Sequence, residues 1–240
     1  MTMNKSNLIT AIALLLLSCG NSNSNSEKKE VIKRGTTSKI VSTIPVLRVY
    51  NMGGIPEKRM EKLLLNLKAV YPSVVYDGQI PFNEKTHIKT DIGNDLYGAT
   101  WIMDDMKKRY NLKNNIQLVI VNAEVCDWKY NKETKKKQPH ALFGDSYLNG
   151  RQSVIGYSRF VKTKRLTDEN LFKIVMHELG HAVGGLVPNR KSDGGHCPNK
   201  HCLMVNAKNH FPYTPITRFC VSCDKVMRSK GFETTQMRFK

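Results

Sequence analysis

The chain has 240 residues, a length for one or two domains, and 40% of them are hydrophobic, enough to fill a core, which excludes a wholly disordered chain. Thirty-eight Lys and Arg against 20 Asp and Glu give a formal charge of +18, which favours anionic partners without choosing among them. Aromatic residues make up only 8%, and no basic-aromatic signature accompanies the charge, so no nucleic-acid partner is expected.

The first eighteen residues carry one charge, Lys5, and an apolar run from Leu8 to Leu17 broken only by Thr10. That run is too short to cross ~30 Å of hydrocarbon as a helix and fits the core of an export signal. It ends in Leu16-Leu17-Ser18-Cys19, which resembles the lipobox of bacterial lipoproteins. The resemblance implies cleavage before Cys19 and a diacylglycerol on its thiol, hence an exported, membrane-anchored chain on the periplasmic or cell-surface side. A plain secretory signal that happens to end near a cysteine is the competing reading. Residues 19–39, opening with Gly20-Asn21-Ser22-Asn23-Ser24-Asn25-Ser26, are polar throughout their first part and form a flexible tether. A single domain is expected over 40–240.

Ile40 to Tyr50 has the apolar, β-branched content of a strand, and Asn51-Met52-Gly53-Gly54 turns the chain. Pro56 opens a helix whose Met60, Leu63, Leu64, Leu67 and Tyr71 fall at core-facing spacing. Strands are expected over Val74–Tyr76 and Ile116–Val125, with a helix between them carrying Leu96, Ala99, Met103, Met106 and Tyr110 as packing residues. Lys129 to Gln138 holds five lysines and reads as a solvated hairpin or loop. Ala141–Leu148 and Ser153–Phe160 read as strands before a helix capped by Thr167-Asp168 and stopped at Gly184-Gly185. The order implies an α+β domain with one mixed sheet and helices packed on it.

The last of these helices carries His177-Glu178-Leu179-Gly180-His181. Two histidines four apart lie on one helical face, ~6 Å apart along the axis, so both imidazoles reach one ion, while Glu178 stands beside the open coordination position. This is the arrangement of zinc peptidases whose glutamate takes a proton from water. A catalytic zinc needs a third protein ligand, for which His196, His201, His210 or Asp193 are available; His87 and His140 lie far upstream and read as surface or structural histidines.

Downstream, Gly194-Gly195-His196-Cys197-Pro198-Asn199-Lys200-His201-Cys202-Leu203-Met204 and then Cys220-Val221-Ser222-Cys223 complete a pattern that resembles the archaemetzincins. That family joins H-E-x-x-H-x-x-G-x-x-H to C-x4-C-x-M and a later C-x2-C. The resemblance implies a metzincin-like mixed sheet with an active-site helix and a small four-cysteine zinc module at about 196–223. It implies zinc peptidase activity with two zinc ions per chain. His177, His181 and His196 would bind the catalytic ion and Glu178 would be the base. Cys197, Cys202, Cys220 and Cys223 would bind a structural ion, and Met204 would form the Met-turn beneath the metal. Ala141-Leu142-Phe143-Gly144 and Ser153–Phe160 are similar to the family's edge and neighbouring strands. The chain departs from the pattern in having eleven residues between Gly184 and His196 where the family has two, so nine, about Leu186 to Gly194, loop out before the third histidine.

Two disulfides are the alternative for the four cysteines in an exported protein. Cys126 reads as a small buried apolar residue. The function expected is hydrolysis of a peptide or protein substrate by a monomer; the alternative is a catalytically silent lipoprotein using a zinc-stapled module to bind ligands, against which the retained Glu178 speaks. A zinc-ribbon nucleic-acid binder conflicts with the export signal.

Overall fold

The computed structural model describes residues 44–89, 95–111, 113–184, 195–206 and 216–237. The chain divides into a unit Met1–Val41 and a unit Ser42–Lys240. The export segment, Cys19, the tether, the insertion at about Leu186 to Gly194 with Asp193 in it, and His210 lie outside the described residues.

Among the described residues, nine strands divide between two sheets. The larger has the order β2 (Val74–Ile80), β1 (Leu47–Met52), β5 (Ile116–Val121), β9 (Gln152–Gly156), β8 (Gly144–Tyr147). Its first four strands are parallel, and β8 closes the edge antiparallel to β9, with Gly144 opposite Ile155 and Ser146 opposite Ser153. The central strand, Ile-Gln-Leu-Val-Ile-Val, is buried on both faces, as a parallel strand covered by helices must be. Alternation sorts its side chains. Leu118 and Ile120 join Leu47 and Val49 of β1 in one core, whereas Val119 and Val121 join Tyr50 and Met52 in the other.

The first core is covered by α1 (Glu57–Val70) and α4 (Asp168–Ala182), the second by α2 (Ala99–Arg109). In α1, Met60, Leu63, Leu67 and Val70 are buried at the spacing of one helical face. Helix α4 starts where Thr167 Oγ1 accepts a hydrogen bond from Asn170 N at 3.0 Å, has Asp168 and Glu169 in its first turn, and is buried from Leu171 to Ala182. Arg59 and Lys62 of α1 both pair with Asp168, which clamps the start of α4 to α1. Gly184 follows the helix at φ +80°, a conformation that favours glycine and ends the helix.

The smaller sheet has the order β3 (His87–Lys89), β4 (Asp95–Gly98), β6 (Glu124–Asn131), β7 (Lys136–Leu142). Strands β6 and β7 form a hairpin from Val125 opposite Leu142 out to Asn131 opposite Lys136, so the lysine-rich stretch is a hairpin tip. Short helix α3 (Tyr157–Lys162) precedes α4, and α5 (Val221–Ser229) lies near the C-terminus.

Several expected boundaries are corrected. The expected single sheet is two sheets, because the apolar run Ile116–Val125 is interrupted by Asn122, whose side-chain amide donates to the carbonyls of Gly53 and Gly54; β6 then starts in the other sheet. Leu96 belongs to strand β4, not to the helix, which opens after Gly98. Strand β1 continues through Asn51 and Met52 and turns at Gly53 and Gly54, both at positive φ, and β2 runs on to Ile80. The run Ala141–Leu148 is split at Phe143 between β7 and β8. The run Ser153–Phe160 ends as a strand at Gly156, where a Cβ would sit 2.9 Å from Val125 Cγ2, and continues as α3.

Candidate active site

Helix α4 presents His177 and His181 one turn apart, with their Nε2 atoms 3.1 Å from each other and their rings 78° apart. His196, from the segment beyond the insertion, brings its ring centroid to 5.3 Å from that of His177 and 4.8 Å from that of His181. One nitrogen from each of the three falls within 4.8 Å of the others. The Nδ1 of His177 lies 2.7 Å from the carbonyl of Leu203; with Nδ1–H donating there, its Nε2 lone pair is left for the cluster.

Burial lowers the His177 imidazole to about 4 against the opposing pull of the Leu203 hydrogen bond, with His196 lowering it further. Burial, then His177 and His196, lower His181 to about 2. Both rings are therefore neutral at ordinary pH, the state in which imidazole binds a metal. His181 Nδ1 is buried without a hydrogen-bond partner among the described residues. Tetrahedral zinc with Zn–N of ~2.05 Å sets neighbouring nitrogens about 3.3 Å apart. The 3.1 Å pair fits that geometry, and a donor set of three imidazoles fits the ion.

Glu178 belongs to neither candidate metal cluster among the described residues. It is 8% exposed, and burial pushes its carboxyl up to about 8, against the lowering effect of a hydrogen bond from Ser146. Ser146 Oγ, on edge strand β8, lies 2.8 Å from Glu178 Oε2, 2.9 Å from the Glu178 carbonyl and 3.0 Å from Ser153 Oγ. Two residues earlier on the same face of β8, Gly144 leaves room for the glutamate: a Cβ there would stand 2.8 Å from Glu178 Cγ. Asp145 points the other way, accepts from Ser146 N at 2.8 Å, and is raised to about 6, chiefly by burial.

Met204 lies under the histidines. It is fully buried, and a Cβ on Gly180 would come within 2.4 Å of its Sδ, so the glycine between the two helical histidines allows α4 to rest on the methionine. The backbone around it is fixed by Cys197 N donating to Met204 O at 2.6 Å and Leu203 N donating to Arg218 O at 2.9 Å.

Cys197, Cys202, Cys220 and Cys223 form the second cluster, all four sulfurs within 4.8 Å of one another and all free thiols. The Cys197–Cys220 sulfur separation of 3.7 Å is far beyond a disulfide bond and close to the ~3.8 Å edge of a tetrahedral zinc–thiolate site. Cys202 Sγ accepts a hydrogen bond from the Cys223 thiol, which is the main reason its own pKa falls to about 5; the amides of Cys220, at 3.2 Å, and Met204, at 3.5 Å, lower it further. Cys223, holding the shared proton and buried, is pushed up.

Of the other candidates, His201 is exposed and outside the histidine cluster, His87 on β3 has its ring tilted 41° against that of Tyr97 on β4, and His140 lies exposed on β7. Cys126 is buried on β6 near Ile88 and Leu96, and burial pushes its thiol up to about 11, an unreactive state. Ser146 is the functional neighbour that pattern reading missed. Its one signal is position, two residues after Gly144 on the same strand face.

No family model matches the sequence, and no curated protein matches it. Solved structures do match. The archaemetzincin of Methanopyrus kandleri aligns at 16% identity and a TM-score of 0.52, over 80% of this chain and 98% of that one. The archaemetzincin of Archaeoglobus fulgidus, complexed with malonate, aligns at 18% identity and 0.53, over 75% and 99%. A zinc-dependent peptidase of Methanocorpusculum labreanum aligns at 17% and 0.51, also over 75% and 99%. The chain has an archaemetzincin-like fold, with a four-cysteine cluster able to bind metal.

Proposed function

We propose that this chain is a zinc-dependent peptidase holding two zinc ions, one catalytic at His177, His181 and His196 and one structural at the four cysteines. The observation that carries the reading is the placement of Glu178: beside three converging imidazoles, outside their cluster, and tied to the edge strand of the sheet. A structural histidine site gains nothing from a buried carboxyl in that position.

A zinc ion held by His177, His181 and His196 would supply Lewis acidity towards a peptide carbonyl and towards a water molecule. The remaining work belongs to side chains of the chain. A dication in the histidine site would favour the ionised form of Glu178 over the neutral form that burial alone favours, and the carboxylate would then take the proton lost by the attacking water and return it to the departing amine, so that the C–N bond breaks without a free amide anion. Ser146 donates to Oε2 and holds the carboxylate so that Oε1 takes the proton. Strand β8 ends its sheet among the described residues, and in this reading an extended peptide pairs along its outer edge beside the histidines. Met204 supports the histidines from below.

The mature protein in this reading is a monomer exported and anchored in a bacterial membrane through lipid on Cys19, acting on peptide or protein substrates. The sequence Leu16-Leu17-Ser18-Cys19 supports the anchoring. No helix among the described residues is long and apolar enough to cross a membrane.

The test is Glu178→Ala assayed on a peptide library with and without chelator. Both zinc ions and the fold should persist while hydrolysis falls ~10²-fold or more. His196→Ala should instead weaken the histidine-site zinc and spare the other. Full activity in Glu178→Ala would overturn the mechanism; loss of zinc in it would make Glu178 a ligand and favour the silent binding module.

A further inference from the structure

We propose that the outer half of the β6–β7 hairpin is a docking surface for an anionic membrane. The hairpin changes character halfway along. Val125 and Cys126 are buried, whereas every residue from Trp128 to Tyr130 and from Lys132 to Gln138 is exposed. Trp128 and Tyr130, two apart on β6, share a face with their cross-strand partners Pro139 and Lys137. They are 38% and 60% exposed, on the same face as Cys126, so an apolar face continues past the edge of the core into solvent.

The charge is concentrated in the same place. Lys129, Lys132, Lys135, Lys136 and Lys137 face the single acid Glu133 within eleven residues. Lys132, Lys135, Lys136 and Lys137 form no ion pair among the described residues. The tip is held in shape by Asn131, whose Oδ1 accepts from the amides of Glu133 at 2.8 Å and Thr134 at 3.1 Å and whose Nδ2 donates to Gln138 at 3.0 Å. The lysines are thus presented on a fixed scaffold and not on a coil.

Lysines alone serve solubility; an exposed Trp and Tyr on one face beside them do not. Tryptophan and tyrosine settle at the headgroup level of a bilayer, and lysines are drawn to anionic lipid. Lysines with aromatics also suit single-stranded nucleic acid. The export signal and the Cys19 lipobox decide for the membrane, and the inference rests on that anchoring and not on the peptidase reading. Lipid on Cys19 would bring the chain to the surface, and the hairpin would then orient it there.

The chain has two tryptophans, so Trp101→Phe leaves Trp128 as its sole tryptophan reporter. The full chain with Trp101→Phe and Cys19→Ala is mixed with vesicles of phosphatidylcholine, pure or with about one-third phosphatidylglycerol. Because the apolar segment Leu8–Leu17 can itself enter vesicles, the readout is Trp128 emission and its quenching by brominated acyl chains, not total partition. Blue shift and quenching are expected on the anionic vesicles and not on the neutral ones, weakening with salt. Lys136→Ala with Lys137→Ala should weaken the Trp128 response ~25-fold, about fivefold per lysine. An unchanged Trp128 spectrum on anionic vesicles would overturn the proposal. So would an unaltered response in the double lysine variant, which would assign the attraction to the overall charge. A response to a single-stranded oligonucleotide with none to vesicles would make the hairpin a nucleic-acid surface.

Discussion

Gly180→Ala sets two known effects against each other. Alanine in place of glycine inside a helix stabilises it by about 1 kcal/mol. At this position the new methyl would stand 2.4 Å from Met204 Sδ and 3.0 Å from its Cε, where ordinary contact is ~3.5–4 Å, so the methionine must yield by about 1 Å. Met204 is fully buried, so its side chain can yield only by repacking against its neighbours. Overpacking of this kind costs ~1–3 kcal/mol, so the substitution should be destabilising by up to ~2 kcal/mol in spite of the helix propensity. It should also weaken the histidine site, because Met204 adjoins Leu203, whose carbonyl holds His177. The assay is urea unfolding of the four proteins of a double-mutant cycle with Met204→Ala. In the Met204→Ala background, with the obstacle removed, Gly180→Ala should recover its ~1 kcal/mol benefit. Additive effects within ~0.5 kcal/mol, or a wild type stabilised by Gly180→Ala, would refute the close approach of helix and methionine.

Glu178 should give the metal-free protein a pH signature. Its folded pKa of about 8 lies above the unfolded value, so the folded state holds the extra proton between the two, and the stability it confers is complete at low pH and lost as pH rises towards 8. Compared with Glu178→Gln, which cancels all other titrations, the chelated wild type should lose about 2 kcal/mol between pH ~6.5 and ~8 in urea unfolding; parallel curves would refute the burial of the carboxyl. Ser146→Ala should lower peptide hydrolysis about tenfold, the worth of one hydrogen bond to a charged group, with zinc content unchanged and Ser146→Thr restoring it; an undiminished rate would show that Glu178 is held without the serine. Elemental analysis should find two zinc ions, the histidine-bound one leaving first to chelator or mild acid because its imidazoles must stay neutral and its coordination is open. One zinc per chain, or the thiolate site emptying first, would contradict this. Cys202→Ser should release the thiolate zinc and also loosen the histidine site, since the same loop carries Leu203 and Met204; an unchanged histidine site would show that the loop stands without its metal.

The parts of this molecule legible in the sequence are those set by local periodicity. His177 and His181 share a face because a helix repeats every 3.6 residues, and that helix is marked by Thr167 at one end and Gly184 at the other. The hairpin at 129–138 is legible because, beside five lysines, it offers only Tyr130 as an apolar side chain to bury. Where two elements share one apolar run, periodicity fails: Val121 and Val125 look continuous yet fall in two sheets, and between them the side chain of Asn122 is bonded to a turn 69 and 68 residues earlier. The shift of Leu96 from helix to strand has a related cause, since a β4 residue pairing with Glu124 and an α2 residue facing the core carry the same apolar side chain.

The convergence of His196 on α4 was legible only through the resemblance, because the intervening insertion destroys any spacing argument. The hold of Ser146 on Glu178 was not legible at all. It depends on the antiparallel register of β8 on β9, which places Ser146 opposite Ser153, and on how deeply α4 settles against that edge. The depth in turn depends on two absent side chains. A Cβ at Gly144 would press on Glu178 and one at Gly180 on Met204, so both glycines work by what they leave out, and a missing atom acquires meaning only when the neighbour that would have struck it is known.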